Sequence, residues 1–142
     1  MKKIISTLMI SFIMISLTYA DETTAQNDIN IENTENTKSS DYIYSKTAEL
    51  TRVNSGKVHL NAYMYCKSTV HKCRITVTLQ EYSGGSYSTY LTAAQTSYDT
   101  ENIINRDYIV ESGVQYRAKV KFEAFDSNDN VVESSTMYTS TV

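Results

Sequence analysis

The sequence predicts an all-β fold, a single antiparallel sandwich of two sheets and about seven strands over residues 42–142. Three observations predict it. Large apolar residues recur with a period of two rather than 3.6, the repeat of a strand with one face in a core and the other in water. Clusters of Gly, Asn, Asp and Ser divide these runs at short intervals, where a chain must reverse. Finally, about 100 residues hold roughly seven such runs, the strand density of a two-sheet sandwich.

Taken in order, the chain opens with Met1-Lys2-Lys3, then runs apolar from Ile4 to Leu17 and reaches Thr18-Tyr19-Ala20. Charge, apolar run and small residues in that sequence predict a signal peptide over 1–20, cut after Ala20. The apolar run is shorter than the roughly 20 residues a membrane-spanning helix needs. No Cys follows the cut to carry a lipid. The expected product is therefore secreted and extracellular, released or associated with the cell wall, with no transmembrane segment in the mature chain. Residues 21–41 carry six acids (Asp21, Glu22, Asp28, Glu32, Glu35, Asp41) against Lys38 alone, with Ile29 and Ile31 their only large apolar residues. Such a stretch buries too little surface to offset its ordering entropy, and we read it as a flexible acidic leader.

Beyond Tyr42 the alternation is plain in three places. Val58, Leu60, Ala62 and Met64 alternate with His59, Asn61, Tyr63 and Tyr65; Ile75, Val77 and Leu79 alternate with Arg74, Thr76, Thr78 and Gln80. Tyr116, Ala118, Val120, Phe122 and Ala124 alternate with Arg117, Lys119, Lys121 and Glu123. Weaker patterns predict strands at 43–51, 86–96, 103–110 and 131–142, with a short turn as the alternative within 91–101. Turns are expected at Asn54-Ser55-Gly56, Gly84-Gly85, Ser112-Gly113 and Asp126 to Asn130.

From Val110 through Gly113 to Tyr116, Ala118, Val120 and Phe122, the pattern is similar to the corner before strand F in fibronectin type III and other immunoglobulin-like sandwiches. That resemblance implies that Tyr116 is a tyrosine corner, returning its hydroxyl to the backbone just upstream. The chain departs from those families in having no Trp, no Pro and no widely spaced Cys pair. Leu79-Gln80-Glu81, Gly113 with Tyr116-Arg117 and Lys119-Val120, and Glu133-Ser134-Ser135-Thr136 together resemble a group of short exported Gram-positive bacterial proteins of uncharacterised function. The likeness spans roughly residues 43–142 and implies the sandwich fold. Its motifs build sheets and transfer no catalytic residue.

The chemistry-bearing residues are few. Cys66 and Cys73 are the only cysteines, placed at the end of one run and the start of the next, and in an exported chain they are expected to form a disulfide. Their spacing has neither the C-x-x-C of a redox dithiol nor enough neighbouring ligands for zinc. His59 and His71 lie in no nucleophilic motif, and no G-x-S-x-G occurs. Asp126-Ser127-Asn128-Asp129-Asn130 offers oxygen ligands but lacks the Gly and distal Glu of a calcium loop, so a polar turn is expected. No cofactor or metal is called for, and an enzyme is not expected.

From Tyr42 onward ten acids balance ten bases. With no basic run to neutralise phosphates, nucleic acid is not the expected partner. Tyrosine is the suggestive residue, twelve in the chain against three Phe. Tyr63, Tyr65, Tyr82, Tyr87 and Tyr90 are candidate ligand-binding residues, because Tyr on a sheet face stacks on sugar rings or anchors a protein interface. The expected role is a secreted, non-enzymatic binding module for a protein or a cell-surface polysaccharide, working through a Tyr-rich face or end loops. A secreted antagonist or toxin-like factor acting on other cells is the alternative.

Overall fold

The computed structural model describes residues 40–142; the signal peptide at 1–20 and residues 21–39 of the leader lie outside the described residues. Seven antiparallel strands follow one another: β1 (Ile43–Asn54), β2 (Lys57–Cys66), β3 (Lys72–Ser83), β4 (Ser86–Ser97), β5 (Glu101–Ile109), β6 (Gln115–Phe125) and β7 (Val131–Tyr138). They form a three-stranded sheet in the order β1-β2-β5 and a four-stranded sheet in the order β4-β3-β6-β7. Pairing β2 with β5 and β3 with β6 is the Greek-key connectivity of immunoglobulin-like sandwiches, with β4 on the edge beside β3. No helix among the described residues is long and apolar enough to cross a membrane.

The alternating residues of β2, β3 and β6 form the core. Val58, Leu60 and Met64 meet Ile75, Val77, Leu79, Val120 and Phe122, all fully buried, with Tyr116 the largest among them. Burial of each such side chain stabilises the fold by about 1.5–3 kcal/mol, which is why these three strands read so plainly in the sequence.

Polar groups close the open margins of the sandwich. At one end the Arg52 guanidinium donates to the carbonyls of Ser55, Val114 and Val142 and lies 5.7 Å from the centre of the Tyr116 ring. Where β1 begins, Glu133 of β7 accepts from the Ser40 hydroxyl and from the amides of Tyr42 and Ile43 at 2.7 and 2.9 Å, tying the two sheets together. Along the β4–β5 margin the buried Asn102 donates to the carbonyls of Cys73 and Gln95. The last four residues leave β7, and Val142 exchanges both backbone hydrogen bonds with Tyr116, so the strand expected over 131–142 ends at Tyr138.

Candidate functional site

The tyrosines do not share one surface. On β2, Tyr63 and Tyr65 alternate with buried Ala62, Met64 and Cys66 and therefore lie on the outer face of the three-stranded sheet. A register shift between Ile43 and Ser45 inserts Tyr44 as a bulge in β1, 65 % exposed. The three rings form a continuous cluster, Tyr44 to Tyr65 at 6.1 Å and Tyr65 edge-on to Tyr63 at 5.4 Å. Opposite Tyr63 on β5 stands Ile103, 44 % exposed, and opposite Tyr65 stands Glu101. Further along this face Asp107 accepts from Lys57 at 3.2 Å and lies 2.7 Å from His59 Nδ1. Its hydrogen bonds with His59 and Lys57 hold its carboxyl below the ordinary range.

Tyr82 and Tyr87 sit at the other pole of the molecule, a cross-strand pair flanking the Gly84-Gly85 turn, with ring centres 5.0 Å apart. Both glycines have positive φ, 59° and 86°, the conformation this two-residue hairpin turn demands. Tyr87 stands on the outer face of the four-stranded sheet. There the Arg117 guanidinium is sandwiched, 3.7 Å from the centre of Tyr87 and 4.7 Å from that of Tyr138. Tyr90 belongs to neither group. A second register shift, between Leu79 and Gln80, turns its ring inward against Tyr116 at 5.2 Å, where it packs on the core.

Tyr116 is fully buried and its hydroxyl accepts the Glu111 amide at 3.2 Å, five residues upstream, across the turn that Gly113 makes at φ 77°. That is the bond a tyrosine corner makes. Burial first, against the opposing pull of the Glu111 amide, raises the pKa of this phenol.

Cys66 ends β2 in one sheet and Cys73 lies in β3 of the other, so the short loop between them crosses from sheet to sheet. Both are buried, and their sulfurs share a hydrogen bond at 2.9 Å, against the about 2.05 Å of a disulfide. The pair expected as a disulfide is thus present as two thiols. That shared hydrogen bond and burial push Cys66 up, while the same bond pulls Cys73 down.

The remaining candidates occupy turns and surfaces. Asp126 uses its carboxylate inside its own loop, accepting from the amides of Asn128 and Asn130 at 2.8 and 2.9 Å and from the Asn130 side chain at 3.1 Å. Those bonds hold its pKa low and make this segment a closed polar turn, with Asp129 at φ 63°. His71 is exposed beside the Tyr98 ring. Among the described residues no group of three or more His, Cys, Asp and Glu gathers to hold a metal. Neither protein-family models nor curated proteins give a match to this sequence.

Proposed function

We propose that the protein is a secreted, non-enzymatic binding module whose contact surface is the outer face of the three-stranded sheet. The observation that carries this reading is the Tyr44–Tyr65–Tyr63 cluster continued by Ile103, an apolar aromatic patch with a polar rim of Glu101, Asn61 and Thr47. Tyr44 is exposed and Tyr63 and Tyr65 are half-buried beside it, and surface aromatics ringed by polar groups are the composition of a binding hot spot. Rigid strands hold them, so little side-chain freedom is lost when a ligand docks. The ligand is a protein or a cell-surface polysaccharide. Retention of the protein on whole cells, wall polysaccharide or culture proteins at about 500 mM salt, where exposed charge contacts are screened, tests this, beside the variant Tyr63→Ser/Tyr65→Ser. Loss of retention in the variant supports the face. Equal retention, or none for either protein, contradicts it, and killing of other cells by the unretained protein would favour the antagonist.

Export would also decide the state of Cys66 and Cys73. In an oxidising compartment a two-electron oxidant takes two protons and two electrons from this buried pair and closes the disulfide. The cross-link constrains an eight-residue loop and adds about 2–3 kcal/mol in the loop-entropy model. The secreted protein, unfolded without reductant, should show no free thiol, and reduction should lower its urea midpoint. Two titratable thiols would contradict this.

A further inference from the structure

The described domain is balanced in charge along its sequence but not across its faces. Lys72 and Arg74 of β3 and Arg117, Lys119 and Lys121 of β6 alternate with buried core residues, so all five stand on the outer face of the four-stranded sheet. This is half of the domain's ten bases. Glu123 is the one acid of β3 and β6 that shares the face. It is buried beneath its partners, paired with Arg74 at 2.9 Å and Lys121 at 2.7 Å. Burial alone would raise its pKa; the two cations outweigh that and hold the group ionised. At one end Lys72 and Arg74 both lie over the Phe125 ring, at 4.4 and 4.8 Å, and at the other Arg117 lies between Tyr87 and Tyr138. Lys72 also pairs with the rim residue Asp129, whereas Lys119 has no ion pair among the described residues.

We propose that this face is a docking surface for an acidic polysaccharide, a glycan chain carrying carboxylate, phosphate or sulfate groups. Charge complementarity comes first. Successive outward residues of β6 are about 6.6–6.8 Å apart, so Arg117, Lys119 and Lys121 form a ladder along which a linear polyanion can lie. Hydroxyls stand beside the bases: Thr76 and Thr78 on β3 stand level with Lys121 and Lys119, and Thr136 stands level with Lys121 on β7. Hydroxyls and cations on a flat sheet match the donors and acceptors of a sugar chain. An acidic protein partner would need a cluster of apolar anchors to desolvate, and the exposed apolar residues of this face stand apart: Val131 is at the Phe125 end, and Tyr82 and Tyr138 are each packed on a neighbouring ring or cation. Nucleic acid would need free aromatic faces for base stacking, and Arg117 occupies those of Tyr87 and Tyr138. This surface is independent of the tyrosine patch on the opposite sheet.

The test is retention of the intact protein on immobilised polygalacturonate, dextran sulfate and neutral dextran at about 50 and about 500 mM salt, since screening at the higher salt weakens exposed charge contacts. Retention on either acidic polymer, absent on dextran and lost at high salt, is expected; which polymer binds tells carboxylate from sulfate-type esters. Lys119→Glu reverses a charge outside the Arg74–Glu123–Lys121 cluster and should weaken binding about tenfold, with Lys119→Gln intermediate. Urea midpoints equal to wild type would show that both variants fold. Tyr63→Ser/Tyr65→Ser should bind the polymer like wild type. The proposal is overturned by equal retention on dextran, by no retention on either acidic polymer, or by wild-type binding in Lys119→Glu. Preference for oligothymidylate or polyglutamate would overturn it as well. So would binding that appears only after residues 21–39 are removed, which would assign the face to the acidic leader.

Discussion

Two buried phenols in this domain have opposite environments, and they should respond oppositely to the same substitution. Tyr116 accepts the Glu111 amide, whereas the Tyr108 hydroxyl is buried with no partner among the described residues. Tyr116→Phe should cost about 1 kcal/mol or more, read from the urea midpoint, because it leaves that amide unsatisfied. Tyr108→Phe removes an uncompensated polar group and should be neutral or stabilising by the same measure. An unchanged midpoint in Tyr116→Phe, or a clear loss in Tyr108→Phe, would contradict these environments. Glu133 gives a pH dependence. Burial pushes its pKa up, but the Ser40 hydroxyl and the Ile43 and Tyr42 amides outweigh that and hold it below the ordinary 4.5. A depressed folded pKa gives stability that is complete above the unfolded value and is lost as pH falls through the folded one. Stability should therefore drop below about pH 4.5, and Glu133→Gln should flatten that acid limb in a comparison of urea midpoints across pH. An acid limb as steep in the variant would remove Glu133 as its cause. The acid itself was not legible as a tie: nothing near Glu133 in sequence indicates that it meets residues some 90 positions away.

At the scale of elements, legibility followed burial. β2, β3 and β6 are the central strands, paired on both sides, and their apolar alternation is nearly unbroken. Among the four edge strands, β1, β4 and β7 bury less of one face than the central strands, so hydrophobicity constrains their residues less and their pattern fades. Each of these edges also contains a register shift, at Tyr44, at Tyr90 and near Val132. A bulge changes which face a residue occupies without changing composition, so period-two counting fails beyond it. One bulge brings Tyr44 beside Tyr65 on the outer face, and another turns the half-buried Tyr90 against the core. Of the five candidate tyrosines, Tyr63 and Tyr65 could be placed from neighbouring core residues alone. Tyr90 could not. The strand expected over 86–96 runs on to Ser97, and the turn that is its alternative within 91–101 lies only at the far end, where the chain crosses to β5.

Across the whole molecule, the sandwich separates what the sequence mixes. Ten acids and ten bases look neutral in a linear count, yet the Greek key sets β3 beside β6 and gathers five bases on one sheet. Roughly forty residues separate those strands, so no window along the chain displays the basic face. The opposite sheet carries the aromatic cluster with Glu49, Glu101 and Asp107 around it. Two chemically different faces on one rigid domain suit a module that bridges two partners, and linking two modest contacts raises overall avidity well above either. Binding through the aromatic patch is tested by retention of wild type, Tyr63→Ser/Tyr65→Ser and Lys119→Glu on whole cells, with soluble dextran sulfate added to occupy the basic face. Wild type and Lys119→Glu are expected to remain bound through the tyrosines, and Tyr63→Ser/Tyr65→Ser to be washed away. Retention of all three alike, or release of all three by the polymer, would contradict it.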